Sequence, residues 1–148
     1  MNKFNIDERK IDKLAKLAVR TGLNLQPGQD LILTAPIESL PLVRRVAVHA
    51  YAAGAGLVTP LFSDHEVTLA RYQYANDGSF DKAADWLYNG MGEAFDNNTA
   101  RMAIVGDDPL LLANQDPNKI GRANKANSLA YKPARERITQ FDVNWNLI

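Results

Sequence analysis

The sequence predicts an α/β fold with an open, mostly parallel sheet and helices on both faces. Segments with apolar residues at helical spacing alternate along the chain with short apolar runs of strand length. The linkers between these segments are long enough for right-handed crossovers, which connect parallel strands. The 148 residues, of which 46% are hydrophobic and 23% charged, suit one globular domain of ordinary size.

The first predicted elements are a helix over residues 6–21 and a short buried strand over residues 31–33. The apolar residues of the helix recur at helical spacing: Ile11, Leu14, Ala15 and Ala18. Asn5, followed three residues later by Glu8, resembles a capping pair at the start of the helix. Gly22 stands where a C-cap would end it.

A second helix and a second strand follow. Ser39 and Pro41 mark the helix start, since proline fits the first turn, where no backbone donor is needed. The apolar stripe of this helix is Val43, Val46, Ala47 and Ala50. Gly54 ends the helix, and residues 57–62 form the next strand. Pro60 cannot donate to a strand ladder, so we expect this strand at an edge of the sheet or with a local irregularity.

The second half of the chain predicts three helical segments and a third strand. A short helix over residues 67–74 precedes a longer one over residues 80–95, and residues 102–105 form a strand. Asp116 then caps a last helical region, which Pro133 must kink or split because proline removes a helical hydrogen bond.

The last residues predict a fourth strand. Phe141, Val143, Trp145 and Leu147 alternate with polar residues, which is the period of a strand with one face on a core. A strand that buries Trp145 and Leu147 needs further polypeptide to complete the sheet. We therefore expect a chain cut inside a larger protein.

The composition excludes several classes of protein. Seventeen basic and 17 acidic residues give a formal net charge of zero, which provides no long-range attraction to nucleic acid or to an anionic membrane. Cysteine is absent, and no apolar run is long enough to span a bilayer. The N-terminus lacks the apolar stretch of a signal peptide. We expect a cytoplasmic protein that binds neither nucleic acid nor a membrane.

Most motifs that would carry chemistry are missing. His65-Glu66 begins like a His-Glu-x-x-His zinc helix, but position 69 is Leu, so we expect Asp64 to cap a helix with His65 in its first turn. His49 is interpreted as a packed or solvent-edge histidine. Gly54-Ala55-Gly56 precedes a strand, whereas a dinucleotide-binding loop must follow one.

Asp107 and Asp108 are the one candidate for a functional site. They follow the third strand, and ligands of open α/β sheets bind outside the carboxyl ends of strands. Paired carboxylates there could bind a cation or orient an amine in a cleft; the alternative is a solvated turn before Pro109. The basic residues around the last helix are interpreted as a solvated helix face: Lys119, Arg122, Lys125, Lys132, Arg135 and Arg137.

Several segments resemble the N-terminal part of the thermophilic metallo-aminopeptidase family, the group that contains aminopeptidases T and S. They are Lys13–Val19, Gly22–Gln29, Ala35–Glu38, Pro41–Arg44, Ala50–Ala55 and Val143–Ile148. The likeness runs in order over nearly the whole chain. Its motifs are structural and carry no catalytic signature.

The resemblance implies that residues 1–148 are the N-terminal α/β domain of a larger two-domain protein. Proteins of this family are cytoplasmic homodimers that remove N-terminal residues from peptides with two divalent metal ions, described as cobalt, zinc or magnesium. Their Glu, His and Asp ligands belong to a C-terminal catalytic domain, so no residue here is assigned a catalytic or metal-binding role, and this chain is expected to bind no metal and to be inactive alone. The alternative is a free-standing, non-catalytic α/β binding module. An exposed apolar patch around Trp145 would favour the aminopeptidase domain.

Overall fold

The computed structural model describes residues 7–148, and within that range the strands form one parallel sheet of four. Their bounds are β1 Leu31–Pro36, β2 Val58–Ser63, β3 Ala100–Ala103 and β4 Trp145–Leu147. The order across the sheet is β2-β1-β3-β4. Residue pairs such as Leu33 with Met102 and Met102 with Asn146 set the register of the central and outer strands. The predicted α/β class with an open parallel sheet is confirmed.

Five α-helices connect or flank the strands in residues 7–148: α1 Glu8–Leu17, α2 Leu40–Ala52, α3 His65–Tyr74, α4 Asp85–Asp96 and α5 Pro117–Thr139. A π-helical segment, Ala18–Gly22, continues α1, and Ile37–Ser39 and Asp77–Asp81 are 3-10 turns. No helix in this range is long and apolar enough to cross a bilayer. The chain divides into two compact units, one of residues 7–62, 99–105 and 144–148 and the other of residues 63–98 and 106–143.

The first unit is built around the central strand β1. This strand is buried along most of its length, as expected for a parallel strand with neighbours on both sides. Its core combines the strands with the apolar stripes of α1, the π-helical segment and α2, including Ala15, Val19, Leu31, Leu33, Val46 and Met102. Gly54 ends α2 with a φ of +93°, a conformation that suits glycine. The edge position predicted from Pro60 is confirmed, since β2 is an outer strand.

The capping prediction at the N-terminus falls partly outside the described residues. Asn5 is among the residues that the structure does not describe. Asp7 is the N-cap of α1, and its carboxylate accepts a hydrogen bond of 3.0 Å from the backbone of Arg9.

The fourth strand forms only over Trp145–Leu147, and there the prediction of a buried apolar face is wrong, whereas Val143 before the strand is buried as predicted. The side chain of Trp145 is 41% exposed and that of Leu147 is 58% exposed. The intervening Asn146 faces the first unit instead, where its side-chain amide donates a hydrogen bond of 3.0 Å to the carbonyl oxygen of Ala18. Asn144 donates in the same way to Leu23, at 3.2 Å. The Ala18 carbonyl also accepts a hydrogen bond of 2.7 Å from the backbone N–H of Leu23, so Asn146 adds a second donor to it. Polar side chains on this face of the strand can bind backbone carbonyls of the first unit, which apolar side chains could not.

The second unit packs α4 against α5 and encloses the fully buried ring of Phe80. The ring of Tyr72 lies 5.3 Å from that of Phe80. The helix predicted over residues 80–95 begins only at Asp85, because Phe80 enters the core from a 3-10 turn.

The last helix does not divide at Pro133. α5 runs from Pro117 to Thr139 without a break, so the predicted split is wrong, whereas a kink stays a prediction. Leu129, whose carbonyl loses its helical donor at Pro133, is a largely exposed residue, and water can supply the missing bond.

Candidate functional site

A concave pocket in the second unit contains both carboxylates singled out in the sequence. Its volume is about 480 Å³, and its polar rim includes His65, Asp107 and Asp108. The rest of the wall is largely apolar and includes Leu112 and Ile120. This combination of an apolar wall with a few polar groups is typical of ligand sites. We refer to it below as the acidic pocket.

The two aspartates have different surroundings. Asp107 is exposed, and its Oδ1 lies 3.5 Å from Nε2 of His65. Asp108 turns back on its own loop, where Oδ1 accepts a hydrogen bond of 2.9 Å from the backbone N–H of Leu110. A turn is present, but it begins at Asp108 and includes Pro109, since the backbone N–H of Leu111 also donates to the Asp108 carbonyl at 3.2 Å. The second carboxylate oxygen of Asp108 takes no part in the hydrogen bond from Leu110.

His65 is held by the start of α3. Asp64 caps this helix, accepting a hydrogen bond of 3.0 Å from the backbone of Val67, and the hydroxyl of Thr68 donates to the Asp64 carbonyl, also at 3.0 Å. The prediction that Asp64 caps the helix with His65 in its first turn is confirmed. The side chain of His65 is 22% exposed, so one edge of its imidazole is open to solvent beside Asp107.

The proximity of His65 and Asp107 was not predicted from the sequence. The two residues are 42 positions apart, and no motif links them. A weak signal was present, since each follows the carboxyl end of a strand within a few residues, His65 after β2 and Asp107 after β3. Segments that follow parallel strands emerge at the same edge of a sheet, which would have allowed the pair to be considered.

The apolar wall of the pocket is anchored in the core of the second unit. Leu112 and Ile120 are partly buried against the cluster that contains Tyr72 and Phe80. Ile120 belongs to the first turn of α5, which Asp116 caps by accepting a hydrogen bond of 2.8 Å from Asn118. The wall therefore rests on a capped helix and a buried aromatic pair.

The basic face of α5 is only partly solvated. Arg122 forms ion pairs with Asp77, at 2.8 Å, and with Asp81, and Arg137 pairs with Asp96 at 2.7 Å. The hydrogen bonds from Arg122 lower the pKa of both of its carboxyl partners. The predicted solvated face thus includes two arginines that stabilise the second unit.

The described residues do not fit a metal centre. Within residues 7–148, no group of three or more His, Cys, Asp or Glu side chains is placed to hold an ion. The His65–Asp107 pair with Asp108 can instead attract an organic cation, since two carboxylates face a partly apolar space.

Comparison with known proteins defines the class to which the fold and sequence belong. The thermophilic metalloprotease family (M29) matches residues 7–148, and the chain belongs to this family. Aminopeptidase T of Thermus thermophilus is 48% identical over 141 residues, covering 95% of this chain and 35% of that protein. Aminopeptidase T of Thermus aquaticus is 43% identical, and aminopeptidase 2 of Geobacillus stearothermophilus is 36% identical.

The fold agrees with the sequence match. The solved structure of wild-type AmpT from Thermus thermophilus superimposes with a TM-score of 0.92, covering 95% of this chain and 36% of that one. The chain therefore spans about a third of the length of the relatives it matches. The family resemblance stated from the sequence is confirmed.

Proposed function

We propose that this chain is the N-terminal α/β domain of a metal-dependent aminopeptidase, which hydrolyses N-terminal residues from peptides. The observation that carries the proposal is the family match along residues 7–148 together with 48% identity to an aminopeptidase T. The chain corresponds to only 35% of that relative, so the chemistry is assigned to polypeptide outside the matched region.

The proposal divides the work between two parts of the enzyme. Two divalent ions, cobalt, zinc or magnesium, belong to the part that this chain lacks, where they would polarise the scissile carbonyl and activate water. This chain forms one side of the substrate cleft, where the acidic pocket presents Asp107 and Asp108 to the peptide. It supports a cytoplasmic homodimer and does not hydrolyse peptides by itself.

The exposed face of β4 supports this interpretation over a free-standing binding module. Trp145 and Leu147 are 41% and 58% exposed on the outer strand β4. Large apolar side chains exposed side by side on a strand are typical of surfaces that other polypeptide covers. A free-standing module would be expected to place polar side chains on this face.

A chimera tests the proposal. The segment of Thermus thermophilus aminopeptidase T that matches this chain is replaced by residues 7–148, and the purified chimera is assayed with cobalt on a leucine chromogenic amide. If this chain is the equivalent domain, the chimera hydrolyses the amide, because the rest of the enzyme supplies the metal centre. The unmodified relative is the positive control. A chimera that is folded by circular dichroism and carries its metals, yet is inactive, would contradict the proposal.

A further inference from the structure

We propose that the acidic pocket is a subsite for an organic cation on an apolar stem. Two parts of a peptide have this chemistry: an amino terminus with an apolar first side chain, and the side chain of a lysine or arginine. The inference deepens the proposed function and depends on it only for the statement that the ligand is a peptide.

Two carboxylates face a single histidine in the pocket, and no lysine or arginine of the described residues forms an ion pair with them. Among residues 7–148, Asp107 has His65 as its ion-pair partner, and neither Asp107 nor Asp108 pairs with a lysine or arginine. The arginines of α5 that form ion pairs do so with other carboxylates. Asp77 and Asp81 hold Arg122, and Asp96 holds Arg137. The acidic pocket therefore keeps a negative potential that a cationic ligand would complement.

The apolar wall adds a requirement for a hydrocarbon stem. Leu111, Leu112 and Ile120 line the pocket opposite a small number of polar groups. The volume of about 480 Å³ falls within the roughly 300–1,000 Å³ typical of ligand pockets. A small inorganic cation would leave this wall in contact with water, whereas an aliphatic chain would cover it.

The polar groups are positioned before any ligand binds. The bond from Leu110 fixes one oxygen of Asp108, and the capped first turn of α3 fixes His65 beside Asp107. A ligand cation would then meet the Asp108 carboxylate, whose position is already set, beside the exposed Asp107, and a group that is already positioned lowers the entropic cost of binding. The same carboxylates would repel a ligand that carries its own carboxylate near the cation, so a peptide or amide should bind better than a free amino acid.

The test is an NMR titration of the isotope-labelled 148-residue chain with four small probes. Leucinamide carries the amino-terminal cation with an apolar side chain, and N-acetyl-lysinamide carries the side-chain cation. N-acetyl-leucinamide lacks the charge, and glycinamide lacks the stem. We expect saturable shifts at backbone amides of residues 63–68 and 107–113 with leucinamide, N-acetyl-lysinamide or both, and affinities at least about threefold weaker for the last two probes.

Matched variants locate the cation. Asp107→Asn and Asp108→Asn remove one charge each and keep side-chain shape, and each is expected to weaken binding by roughly threefold. Asn at position 108 retains an acceptor for Leu110. Glu38→Gln is the control, because Glu38 is exposed and does not line the pocket, and it should leave the affinity unchanged.

Each outcome of the titration and of the chimera assay supports or overturns either the cation subsite or the aminopeptidase assignment. Binding of leucinamide alone identifies the amino terminus as the source, binding of N-acetyl-lysinamide alone identifies the side chain, and either supports the subsite. Equal binding of the neutral probe, absence of saturable shifts, or no effect of the two aspartate variants would overturn it. An active chimera without probe binding removes only the subsite, whereas probe binding with an inactive chimera removes only the aminopeptidase assignment.

Discussion

The side-chain amide of Asn146 in β4 donates a hydrogen bond of 3.0 Å to the carbonyl oxygen of Ala18, the first residue of the π-helical segment. The contact joins the end of the described chain to its first helix, 128 positions earlier. It brings the asparagine so close to Gly22 that a Cβ atom added there would lie 2.8 Å from Nδ2. The side chain of Asn146 can therefore make this hydrogen bond only because residue 22 has no side chain.

Replacing Asn146 with alanine should destabilise the protein by about 1 kcal/mol, because its hydrogen bond to the Ala18 carbonyl is lost while that carbonyl keeps the backbone N–H of Leu23 as a donor. Urea denaturation followed by circular dichroism measures this change. Asn89→Ala is the control, since Asn89 is exposed on α4 and should change the free energy of unfolding by less than about 0.5 kcal/mol. Equal effects of the two substitutions would contradict the role of the Asn146 bond.

Gly22→Ala should destabilise the protein by about 1–3 kcal/mol, since the new methyl group displaces the Asn146 amide from its bond. In an Asn146→Ala background the same substitution should cost much less, because the obstacle is gone. Gly121→Ala in α5 is the matched control. A Cβ there meets nothing within 4 Å, and alanine is the better helix former by about 1 kcal/mol, so stability should rise. Additive effects of the two substitutions at 22 and 146 would exclude the proposed dependence.

Arg122→Gln should lower the urea midpoint at pH 7 and have a smaller effect at pH 2. The hydrogen bonds from Arg122 lower the pKa of Asp77 and Asp81 from the ordinary value of 3.8. A lowered pKa in the folded state gives stability that is present above pH 3.8 and is lost as the pH falls through the lowered value. Lys125→Gln, at an exposed position of the same helix, controls for loss of positive charge. An effect that persists undiminished at pH 2 would show that Arg122 acts through packing alone.

The isolated chain should hydrolyse no amino-acid amide, even with added cobalt, zinc or magnesium, because residues 7–148 provide no cluster of three metal-ligating side chains. The measurement compares release of the chromophore with a blank that contains metal alone. Turnover above that blank, retained through a further purification step, would show that this chain carries its own active site.

The sequence predicts the elements well where local rules decide the structure. Helical spacing predicts α2, the cap at Asp116 predicts the start of α5, and the caps at Asp64 and Asp116 bind residues three positions or fewer away. Pro60 predicts an edge strand, because proline has no backbone N–H and would leave a hydrogen bond unmade in a strand that is paired on both sides. The family resemblance extends these predictions to the whole chain.

The sequence predicts poorly where distant residues decide the outcome. Alternation at residues 141–147 predicts a strand, but the face of β4 that turns inward carries asparagines that bind the carbonyls of Ala18 and Leu23, more than 120 positions away. The proximity of His65 to Asp107 likewise results from chain topology, which no local pattern specifies. Asp107 and Asp108 could be selected from their place after a strand, whereas the apolar wall beside them could not.

The measurement that tests the central claim most directly is kcat/KM of the chimera in which residues 7–148 replace the matching segment of Thermus thermophilus aminopeptidase T. If this chain is the equivalent domain of an aminopeptidase, the chimera should hydrolyse the leucine amide within about tenfold of the unmodified enzyme, a difference of about 1.4 kcal/mol in transition-state stabilisation. A folded, metal-loaded chimera with no turnover above the metal-only blank would contradict the assignment.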